Sequence, residues 1–81
     1  MIGTVIDFTA EALFASTLQP SQQPTPAQVW AAVADTVGKL GAHGCAERLA
    51  DAYGECMETA AARMRWARDT AASLSPETTA A

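Results

Sequence analysis

Apolar residues recur along the chain in four stretches at helical spacing, separated by proline and glycine. Phe8, Leu13, Phe14 and Leu18 form the first set, in an arm spanning residues 1–19. Asp7 or Thr9 can cap a short helix there, while residues 1–6 are open to either a strand or a frayed end. The run Gln19-Pro20-Ser21-Gln22-Gln23-Pro24-Thr25-Pro26 then breaks any helix, because proline lacks an amide donor and restricts the residue before it. This Pro-rich linker, residues 20–26, ends in a start signal: Thr25 as N-cap, Pro26 in the first turn and Gln28 three residues after the cap.

A helical body is expected over residues 26–75. Its first helix places Val29, Trp30, Val33, Val37 and Leu40 on one side, with Trp30 expected in the core, and stops at Lys39-Leu40-Gly41. A short helix follows from Cys45 to Tyr53, with Cys45, Leu49, Ala52 and Tyr53 inward and Gly54 ending it. The longest helix runs from Thr59 to Leu74, with Met57, Ala60, Met64, Ala67, Ala71 and Leu74 as its apolar stripe. Ser75-Pro76 should end it and leave residues 76–81 disordered. The expected fold is all-α: a three- to four-helix bundle, with the N-terminal arm packed on its own body or on a second copy in a swapped homodimer.

Size and charge narrow the function. A chain of 81 residues makes one domain, too short to wall a deep cleft, and no motif supplies a catalytic set. His43 is the only imidazole available to activate Cys45 or Cys56, and the spacing of these three residues is poor for zinc. The glycines are isolated and build no phosphate loop. A non-enzymatic protein without metal, cofactor or small-molecule substrate is therefore expected. Residues 1–8 lack the charge and apolar run of a signal peptide, and no stretch approaches a membrane span. These features lead to the expectation of a cytoplasmic protein, away from membranes, with reduced cysteines.

The segment Cys45-Ala-Glu-Arg-Leu-Ala50-Asp-Ala-Tyr-Gly54, followed by Thr59-Ala-Ala-Ala-Arg63-Met64-Arg65-Trp66-Ala67-Arg68, resembles the helix-turn-helix of bacterial regulators and sigma factors. The resemblance covers residues 29–74 and implies a glycine turn at Gly54 and a DNA-reading helix carrying Arg63, Arg65 and Arg68. The Ala-Arg-Asp-Thr bias also resembles small actinobacterial proteins, which implies an origin and no function. Two features depart from the DNA-binding pattern. The turn region 54–58 is long and acidic, and helical projection scatters the three arginines around the stripe.

Formal net charge is −4, against the basic balance that phosphate binding favours. Two readings follow. Motif order favours a DNA-binding transcriptional regulator, which narrowly leads. Charge favours an acidic adaptor or antagonist that meets a basic partner through Glu47, Asp51 and Glu55, with Trp66 or Tyr53 as its apolar anchor.

Overall fold

A computed structural model describes the backbone of residues 2–80 and the side chains of residues 8–74. Helix α1 spans Ile2–Ala15, α2 spans Pro26–Glu55 and α3 spans Met57–Ala80, with one 3-10 turn at Pro20–Gln22. No strand occurs among the described residues. The all-α expectation therefore holds. The arm is helical from Ile2, which removes the strand alternative at residues 2–6. It packs on α2 and α3 of its own chain.

The start of α2 follows from its sequence. Thr25 Oγ1 accepts from the Gln28 amide at 3.2 Å, and Gln28 Oε1 accepts from the Thr25 amide at 2.8 Å, satisfying two otherwise orphaned donors. In the linker, Gln22 Oε1 accepts from the Gln19 amide at 2.6 Å, and Gln23 takes a left-handed φ of 48°.

The helices expected over 26–40 and 45–53 form the two limbs of α2, which meet at Gly41, whose φ of 71° and ψ of 170° lie outside the helical range. Positive φ there is open to glycine without steric cost. Gly44 lets the kink close: a Cβ added to it would lie 2.9 Å from Leu40 Cβ. Gly54, by contrast, sits inside α2, so the turn glycine implied by the helix-turn-helix resemblance is absent at that place. At the other end, α3 continues through Ser75 and Pro76 to Ala80. One proline removes one amide donor, and α3 tolerates that loss.

The core gathers Leu13, Phe14, Val29, Val33, Cys45, Met64 and five alanines of α1 and α3. On α2 the buried arc differs from the hydrophobic reading. Thr36 is buried and Trp30 is 48% exposed, against the expectation of a core tryptophan. Thr36 can occupy that position because its hydroxyl donates to the Ala32 carbonyl at 2.7 Å, and among the described residues no buried side-chain N or O atom lacks a partner. Trp30 lies one residue beyond Val29, about 100° around the helix, and so leaves the core side. Met57, expected in the α3 stripe, is 67% exposed at that helix's first residue.

Gly41 and Gly38 give opposite expectations. Gly41→Ala should lower stability by about 1–2 kcal/mol, the cost of forcing an L-residue into left-handed space. Gly38 is helical with nothing within 4 Å of an added Cβ, so Gly38→Ala should raise stability by about 0.5–1 kcal/mol. Urea unfolding of the two variants checks both signs.

Candidate functional site

The three arginines expected on a recognition helix go to different places. Arg63 points into the fold. Its Nε donates to the Phe14 carbonyl at 2.9 Å, and its Nη2 donates to Ser16 and Leu18 carbonyls at 2.9 Å each, with a longer approach of 3.4 Å to Leu13. These carbonyls lie at and just beyond the end of α1, where the last turn of a helix has no amides of its own to meet them. That last turn carries no basic residue, so α3 supplies the cation that the negative helix end favours. Burial pulls the Arg63 pKa below its ordinary value, yet a guanidinium stays charged at any physiological pH.

Aromatic rings hold the same group. The Arg63 guanidinium carbon lies 5.7 Å from the Phe14 ring centroid and 5.1 Å from that of Trp66. Trp66, expected as an exposed anchor, is thereby half-buried against the core. With its donors turned onto α1, Arg63 is a structural group here. Arg65 and Arg68 remain exposed on α3, and at about 100° per residue Arg65 lies roughly 160° around the helix from Arg63.

The partner-binding set also divides. Glu47, Asp51 and Glu55 are exposed and recur every four residues, forming one acidic stripe along the C-terminal half of α2. Glu47 lies 3.4 Å from His43 Nε2, a pair that is ionic only when the imidazole is protonated. Tyr53 is about 200° around the helix from Asp51 and stacks on Phe14, with ring centroids 6.3 Å apart at 15°. Tyr53 and Trp66 therefore sit apart from the acids they were read with.

Sequence reading missed a groove beside the stripe. Its cavity of about 260 Å³ is lined by Phe14 and Ala60, both buried, by half-buried Ala52 and Arg63, and by exposed Glu55, Cys56 and Thr59. Cys56 creates this corner, since it is the single residue between α2 and α3. Its extended backbone donates to the Ala52 carbonyl and accepts from the Ala60 amide, both at 3.0 Å, so it closes one helix and opens the next. Nothing in its residue type signals that junction, because cysteine is neither a strong cap nor a breaker.

The pKa values of the two thiols are pulled in opposite directions. Cys56 Sγ and Thr59 Oγ1 share a hydrogen bond at 3.1 Å, and this bond together with nearby amides at the start of α3 lowers the Cys56 pKa. Burial raises that of Cys45, with Glu11 adding to the rise. Among the described residues, no three His, Cys, Asp or Glu side chains gather to hold a metal ion. Among the described residues, no helix is long and apolar enough to cross a membrane.

Arg63→Ala should cost about 2–3 kcal/mol in chemical denaturation, because it leaves α1 carbonyls without their charged donor. Arg65→Ala should stay within about 0.5 kcal/mol. With a lowered pKa, Cys56 carries more thiolate near neutral pH, so its alkylation should rise with pH at a midpoint below the ordinary thiol range. Thr59→Ala should move that midpoint upward. Cys45, with a raised pKa and no exposure, should react only after unfolding, as mass spectrometry of the labelled chain would read directly. Compared with known protein-family models, curated proteins and solved structures, this chain has no significant match.

Proposed function

We propose that this chain is a small non-enzymatic interaction module that docks on a basic protein surface through the acidic stripe of α2. One observation carries the reading: Glu47, Asp51 and Glu55 stand exposed in a line while Arg63 is turned inward onto α1. Cationic potential for a phosphate backbone is reduced by that inward turn, and the net charge of −4 opposes it further. Complementary charge, by contrast, speeds encounter with a basic protein and fixes its orientation. Aligned carboxylates on a rigid helix suit that role, since the helix holds their spacing without an ordering cost.

The DNA-binding reading makes the opposite prediction, so one pair of titrations separates them. By fluorescence anisotropy at low salt, the chain should leave a labelled GC-rich duplex unbound and associate with poly-L-lysine, and salt should weaken that association. Neutralising the stripe with Glu47→Gln, Asp51→Asn and Glu55→Gln together should reduce poly-L-lysine binding while circular dichroism stays unchanged. Salt-sensitive binding to the duplex would overturn the proposal and return Arg65 and Arg68 to a DNA-facing role.

A further inference from the structure

The groove at the α2–α3 corner meets the acidic stripe at Glu55, and the geometry points to its occupant: one large apolar side chain projecting from a basic amphipathic helix of a partner protein. This inference rests on the docking role proposed for the stripe. Glu55 belongs to both features, as the last carboxylate of the stripe and as part of the groove lining. A partner held at Glu55 therefore lies beside Phe14, Ala52 and Ala60, whereas Asp51 stands about 100° around α2 from Ala52.

Three observations define the occupant. At about 260 Å³ the cavity lies below the roughly 300–1,000 Å³ of small-molecule sites, and has room for one large apolar side chain. No strand edge exists among the described residues, so an extended peptide would find no backbone ladder to join. A helix brings its own backbone bonds already satisfied and presents anchors at intervals of three or four residues, matching the interval of the acids. Charge excludes a second copy of this chain on the same face. A symmetric pair would set each acidic stripe against its equal, and like charges repel there.

Two capped lysine–alanine helical peptides test the assignment. One carries a single central leucine with lysines one and two turns away, and the other has alanine in place of the leucine. Titrated into the labelled full chain and followed by amide NMR shifts, the leucine peptide should perturb Ala52, Cys56, Thr59 and Ala60 together with the stripe. Its affinity should exceed that of the alanine peptide about tenfold or more, as burial of one leucine side chain implies. Equal affinities, with shifts confined to residues 47, 51 and 55, would overturn the groove assignment while leaving the acidic docking role in place. Absence of binding by both peptides at low salt would overturn the two together.

Discussion

The Arg63 guanidinium, seated on the carbonyls at the end of α1, is the contact on which the arrangement of this small protein turns. It joins residues 45 to 50 positions apart in sequence. A helix end brought against the body without such a donor would bury carbonyls that water could no longer reach, a loss of about 1–3 kcal/mol for each unsatisfied group. In a domain of this size that loss competes with the whole margin of stability. The same side chain lies over Phe14 and Trp66, so one residue both satisfies α1 and orients the aromatic side chains beside it.

Fixing α1 in this way has a consequence at the surface. Phe14 is buried between Arg63 and Tyr53, and forms part of the groove that opens where α2 gives way to α3. The groove thus depends on three elements meeting: the end of α1, the last turn of α2 and the first turns of α3. Cys56 sets the relation between the last two, because a single extended residue leaves little freedom in how the helices join. Of the α2 acids, Glu55 lines the groove, while Tyr53 packs on Phe14 and Trp66 on Arg63 behind it. A docking surface is made by this corner, and by no single helix.

Much of the scaffold could be read from the chain directly. The capping box at Thr25 and Gln28, the break imposed by the prolines, the kink at Gly41 and the buried Ala60, Met64, Ala67 and Ala71 stripe all depend on residues within a turn or two of one another. Local chemistry determines such features: a cap needs its amide three residues on, and a left-handed position favours glycine. The acidic stripe was equally legible, since spacing along a helix places those side chains whatever packs behind it.

The tertiary structure decided what local spacing leaves open. Arg63, Arg65 and Arg68 look alike in sequence, and only the docking of α1 gives Arg63 four carbonyls and leaves the other two exposed. Trp30 leaves its expected place in the core and Thr36 is buried, because the buried arc of α2 is set by where α1 packs, and Thr36 brings its own hydrogen bond with it. Gly54 carries the usual signal for a helix end, yet the helix passes through it to Cys56, whose residue type carries none. The sequence by itself thus determined which segments are helical and which residues lie on a common stripe. How the stripes meet, and therefore where the groove lies, was decided by contacts between distant segments, because burial and hydrogen-bond satisfaction are properties of the packed whole.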